Sequence, residues 1–75
     1  MRLFKIENNL KMLKKEYAYT AIDAELELHR YIVEDNIVIT LDFLTKDCTI
    51  TNLETSVTKN FKSEKGIINE LWRMN

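Results

Sequence analysis

The segment from Ile22 to Phe43, IDAELELHRYIVEDNIVITLDF, constrains the fold more than any other. Apolar Ile22, Ala24, Leu26 and Leu28 alternate with polar Asp23, Glu25, Glu27 and His29. Successive side chains of a strand point to opposite faces, so the pattern predicts a strand with one buried and one wet face. A helix is the rival reading, with Thr20 and Asp23 near its start and Glu25 four residues before His29. The β-branched run Ile37-Val38-Ile39-Thr40 favours extended chain for the second half.

The two strands meet at Asp35-Asn36, residue types that tolerate positive φ. A two-residue loop there pairs Ile32 with Ile39 and Leu28 with Phe43 on the inner face. It pairs Val33 with Val38, Tyr31 with Thr40 and His29 with Asp42 on the outer face. Arg30 then falls inward opposite Leu41, its stem packed near an edge and its head in water.

Helices are predicted on either side. Over residues 2–17, Leu3, Ile6, Leu10, Leu13 and Tyr17 form one apolar stripe, widened by Phe4 and Met12. Lys5, Lys11, Lys14 and Lys15 lie mostly off it. Tyr17 to Thr20 is the link to the first strand. A second turn at Lys46-Asp47 pairs Phe43 with Ile50 and leads into a third strand, Cys48 to Val57, with a β-bulge near Asn52. Cys48 faces inward as a small hydrophobe. After a polar connection over residues 59–62, Ser63 caps a last helix whose apolar face is Ile67, Ile68, Leu71 and Trp72, with Trp72 its largest anchor. The expected fold is α+β: an N-terminal helix, a three-stranded antiparallel β-meander and a C-terminal helix, both helices on one sheet face, without internal repeats.

This order resembles that of the double-stranded-RNA-binding domain, and the length fits. That family opens its second helix with a basic cluster, where this chain has SEKGIINELW. Its first inter-strand loop carries a Gly-Pro-x-His element, where this chain has EDN.

At 75 residues the chain is expected to form a single domain, 1–75, with a modest core that association would help. With no Pro and one Gly, a disordered or linker-rich chain is excluded. One Cys and one His make neither an internal disulfide nor a structural zinc site. No signal-peptide core or membrane span is visible, so a cytoplasmic protein is expected. A metal site from Glu25, Glu27 and His29 is geometrically allowed on one strand face, but a flat, exposed sheet with one His argues against it. No phosphate loop or nucleophile motif is present, so neither catalysis nor a cofactor is expected.

Charge is segregated. Residues 1–20 carry five basic and two acidic groups, residues 21–58 two and eight, and residues 59–75 four and two. An acidic sheet between basic helices has three readings. The first is a non-enzymatic protein-binding module, an anti-CRISPR-like phage or mobile-element inhibitor of a host nucleic-acid enzyme or defence complex. It would dock through Asp23, Glu25, Glu27, His29, Tyr31, Val33, Val38 and Asp42, with acidic flanks around an outward apolar patch. The second is a nucleic-acid-binding regulator using Lys5, Lys11, Lys14 and Lys15 with Lys59, Lys62 and Lys65. The third is a structural homo-oligomer, a homodimer in the simplest case.

Overall fold

The computed structural model describes residues 3–23, 25 and 27–74. It is α+β, with an N-terminal helix, an antiparallel sheet and a C-terminal helix. The sheet has five strands in a simple meander, not three. Helix α1 spans Leu3–Met12 and is followed by β1 (Tyr17–Asp23), β2 (Leu28–Val33), β3 (Ile37–Asp42), β4 (Asp47–Asn52) and β5 (Val57–Phe61); α2 spans Glu64–Arg73. The expectations for Ala24 and Leu26, and for the side chains of Leu3, Phe4 and Asp23, lie outside the described residues.

Both extra strands come from turns that the sequence does not punctuate. What was expected to be one strand through residue 28 is divided into β1, which ends at Asp23, and β2, which begins at Leu28, and Glu27 adopts φ 52°. The link from Tyr17 to Thr20 is therefore the body of β1. The bulge expected near Asn52 is a complete reversal over residues 53–56, and the polar connection after it is β5. Five strands in this order also leave the topology of the double-stranded-RNA-binding domain.

The last two hairpin turns repeat at a spacing of ten residues. Asp42 Oδ1 accepts from the N–H groups of Leu44 and Thr45, and Asn52 Oδ1 accepts from those of Glu54 and Thr55. Thr45 Oγ1 accepts from Asp47 N–H, and Thr55 Oγ1 from Val57 N–H. Lys46 (φ 65°) and Ser56 (φ 61°) close the two loops in the left-handed region. The shared pattern is Asp/Asn-x-x-Thr-x, in DFLTK and NLETS. The short polar side chain satisfies the loop amides and the threonine locks the exit. A non-glycine residue in this region costs about 1 kcal/mol. Lys46→Gly and Ser56→Gly are therefore each expected to stabilise the domain by roughly 0.5 kcal/mol, after the entropy of the unfolded glycine is deducted, as measured by urea unfolding.

The register of the central hairpin corrects the expected one. Its turn centres on Glu34-Asp35, with φ 51° and 61°, and Asn36 N–H donates to the Val33 carbonyl at 3.2 Å. Tyr31 consequently pairs with Ile39, Ile32 with Val38, Arg30 with Thr40 and Leu28 with Asp42. Strand β3 faces as expected, with Ile37, Ile39 and Leu41 buried. Strand β2 is flipped. Tyr31 and Val33 are buried rather than outward, and Ile32 and Arg30 face water. Across the next turn Leu41 pairs with Cys48 and Ile39 with Ile50, four positions from the expected register but with the same buried face.

One apolar cluster unites the elements. Ile6 and Leu10 of α1, and Ile67 and Leu71 of α2, pack with Tyr31, Val33, Ile39, Leu41, Cys48 and Ile50 of the sheet. The stripe of α1 is thus Ile6 and Leu10; Leu13 and Tyr17 add to the cluster from beyond the helix. Burial raises the Cys48 thiol above its ordinary range, in keeping with an inert core side chain. Ser63 caps α2, its hydroxyl accepting from Gly66 N–H at 3.4 Å. Gly66 is required by packing, since a Cβ there would lie 2.8–3.0 Å from the Phe61 side chain. Trp72 is not the buried anchor expected. It is about half exposed, and its indole N–H donates to Asn9 Oδ1 at 2.6 Å, latching α2 to α1.

Candidate functional site

The meander collects its loops at two ends. At one end lie the turn residues Glu25 and Glu27, between β1 and β2, and the β3–β4 turn (residues 43–46). Pairing of Leu28 with Asp42 and of Asp42 with Asp47 sets these turns side by side. Phe43 N–H donates to the Glu27 carbonyl at 3.1 Å and ties them together. Glu25, Glu27, Asp42 and Asp47 therefore share one rim of the sheet. Between them Leu44 is 63% exposed, the most solvent-open large apolar side chain among those described.

The amides of Thr45 and Leu44 hold the Asp42 carboxyl below the usual carboxylate range, the Thr45 N–H first among them. Asp47 accepts from Lys62 at 2.9 Å, and this pairing raises the lysine. Asn52 performs in the next turn the task Asp42 performs here. Asp42→Asn thus removes a charge while keeping the acceptor, which makes it a clean probe of the rim.

Behind the rim an aromatic file runs along the inner face. Tyr17 and Tyr31 stand 5.6 Å apart, Tyr31 and Tyr19 5.2 Å, Tyr19 and His29 5.8 Å, and His29 and Phe43 5.7 Å. The Tyr19 hydroxyl and His29 Nδ1 are hydrogen-bonded at 2.8 Å. At the covered end of the file, Tyr17 and Tyr31 both donate to the Glu7 carboxylate of α1, at 3.1 and 2.8 Å. Burial, then Glu7, raises both phenols above their ordinary value. The file is thus clamped by α1 at the Tyr17–Tyr31 end, is open to water at Tyr19, which is 41% exposed, and ends on half-buried Phe43 at the rim.

The expected docking set is therefore divided. Glu25, Glu27, His29 and Asp42 gather at or beside the rim, and Asp23 ends β1 there. They do not form a carboxylate-rich plane. Tyr31 and Val33 belong to the core, and Val38 stands half-buried on the outer face, opposite Ile32. That outer face, which neither helix covers, carries Ala18, Thr20, Thr40, Thr49, Thr51 and Thr58 around Arg30. Its character is neutral and β-branched, not acidic. The residue missed from sequence is Leu44, which the repeated turn pattern marks as a loop position.

The lysines are less available than their count suggests. Lys15 pairs with Glu34, Lys59 with Glu70 and Lys62 with Asp47. Lys5, Lys11, Lys14 and Lys65 are exposed. Glu70 is only 7% exposed and is held by Lys59 at 2.9 Å and Arg73 at 2.6 Å, both of which depress its carboxyl, Lys59 the more. A depressed folded value contributes stability above the unfolded value of 4.5, and this is lost as pH falls through the folded value. Acid unfolding is therefore expected to shift to lower pH in wild type than in Glu70→Gln. The two should differ at neutral pH by about 1 kcal/mol, the cations being largely exposed.

Among the described residues, no three of His, Cys, Asp and Glu converge as a metal-ion cluster. No described helix is long and apolar enough to cross a membrane. Compared with protein families, with curated proteins and with solved structures, the chain matches none.

Proposed function

We propose that this chain is a small non-enzymatic protein-binding module that docks its acidic turn rim on a basic surface. The observation that carries the reading is the junction of the two turns by the Phe43–Glu27 backbone hydrogen bond, which sets exposed Leu44 among Glu25, Glu27 and Asp42. An apolar anchor within a charged surround suits a protein interface, where the charges guide encounter and the anchor supplies contact energy. The basic surface that such a rim fits best is one built for nucleic acid. This supports an inhibitor of a nucleic-acid enzyme or defence complex, of the anti-CRISPR-like kind made by phages and mobile elements.

The test compares wild type with Glu27→Lys/Leu44→Ser in capture from a host lysate, with duplex DNA as competitor. The reading expects a captured nucleic-acid-binding protein that duplex displaces and that the variant no longer holds. Equal capture by wild type and variant contradicts it. The alternative, direct nucleic-acid binding through Lys5, Lys11 and Lys14, expects a gel shift with purified protein that weakens steeply with salt.

A further inference from the structure

The two edges of the sheet are guarded unequally. At β5, Lys59 points inward at the centre of a five-residue strand and pairs with Glu70, and an inward charge on an edge blocks addition of another strand. At β1, the longest strand, the run Tyr17-Ala-Tyr-Thr-Ala-Ile22 has no charge, proline or glycine. Residues 18–22 are all exposed, and only one side of β1 is paired, with β2. Such an edge is open to strand addition.

We infer that β1 pairs antiparallel with β1 of a second copy, joining two sheets about a two-fold axis through Thr20. Three features favour this occupant over a foreign strand. A two-fold at Thr20 is the one position that overlaps the whole strand with itself. It sets Tyr19 opposite the other copy's Ala21 and Ile22 opposite its Ala18, so these two large side chains meet small ones, while Thr20 meets Thr20 and Tyr17 falls opposite Asp23 at the strand ends. The flanks are also complementary. Exposed Lys14 lies before β1, past Lys15, which Glu34 holds, and Glu16, and Glu25 follows the strand, so the antiparallel arrangement brings Lys14 of each copy toward the acidic end of the other. Because β5 is guarded, assembly stops at the dimer rather than growing into a fibre. Leu44 and Asp42 lie two strands in from this edge and stay open in the dimer, and Glu25 is the one rim residue that both contacts use.

The experiment is sedimentation equilibrium on wild type and on Thr20→Lys, with Thr20→Cys as a positive probe. Thr20 is exposed, and lysine there leaves the core alone but sets two like charges directly opposite across the axis. Wild type is expected at twice the chain mass of 8.9 kDa. Thr20→Lys is expected to keep its circular dichroism and dimerise at least about tenfold more weakly. Thr20→Cys is expected to cross-link across the axis on mild oxidation, Cys48 being buried. A wild type that stays monomeric up to about millimolar concentration overturns the inference. So does a dimer that Thr20→Lys leaves unchanged.

Discussion

Tyr31→Ala is expected to lower unfolding stability by about 3–5 kcal/mol, the range for emptying a buried aromatic site. Tyr31 has no exposed surface and is the largest fully buried side chain among the described residues. Its ring packs against Tyr17 and Tyr19, and its hydroxyl donates to Glu7, so alanine leaves a cavity and removes one of two donors from that carboxylate. A domain of 75 residues has a total stability of roughly 4–11 kcal/mol, so this one change brings it to the edge of unfolding. The neighbour is the control. Ile32, one residue along and 37% exposed, faces water on β2, and Ile32→Ala is expected to cost less than about 1 kcal/mol. Had the hairpin closed at Asp35-Asn36, these two results would be exchanged. Urea titration of both variants gives the answer.

Leu10→Ala is expected to be the second large effect, at about 2–5 kcal/mol. Helix α1 has ten residues, too few to persist alone in water, and among its described side chains Ile6 and Leu10 are the fully buried ones that join the core. Removing one of them undermines the cover over the aromatic file, including the Glu7 clamp on Tyr17 and Tyr31. Met12, at the end of the same helix and largely exposed, serves as the comparison; Met12→Ala should be nearly silent. Hydrogen exchange in Leu10→Ala is expected to accelerate first in α1 and β1, ahead of β3 and β4.

What the chain reveals in its sequence, and what it conceals, follows from how its turns are made. The helical spacing of Ile6 and Leu10, the Ser63 cap and the buried parity of Cys48 and Ile50 are plain in the sequence, because each rests on local chemistry. The extra strands are hidden because the turns that create them lack glycine and proline. Lys14, Glu27, Glu34, Asp35, Lys46 and Ser56 all occupy positive φ without being glycine. The face of β2 is ambiguous for another reason. Tyr31-Ile32-Val33 and Ile37-Val38-Ile39 are apolar at every position, so alternation cannot choose between registers one residue apart. The strict alternation from Ile22 to Leu28 spans the end of β1 and the start of β2 rather than one strand. The acidic site inherits that error: its charges are real, but turn geometry gathers them at a rim instead of spreading them over a sheet face. The Asp/Asn-x-x-Thr-x repeat in DFLTK and NLETS was the available clue to the fifth strand.

The central claim is the register of β2 against β3, since it decides which side chains make the core and which reach solvent. Cross-strand nuclear Overhauser contacts in the labelled wild-type protein test it most directly. Backbone contacts linking Tyr31 to Ile39 and Ile32 to Val38, with the Tyr31 ring close to Glu7, are the expected result. Contacts linking Ile32 to Ile39 and Tyr31 to Thr40 would contradict it, and would return the tyrosine to the surface.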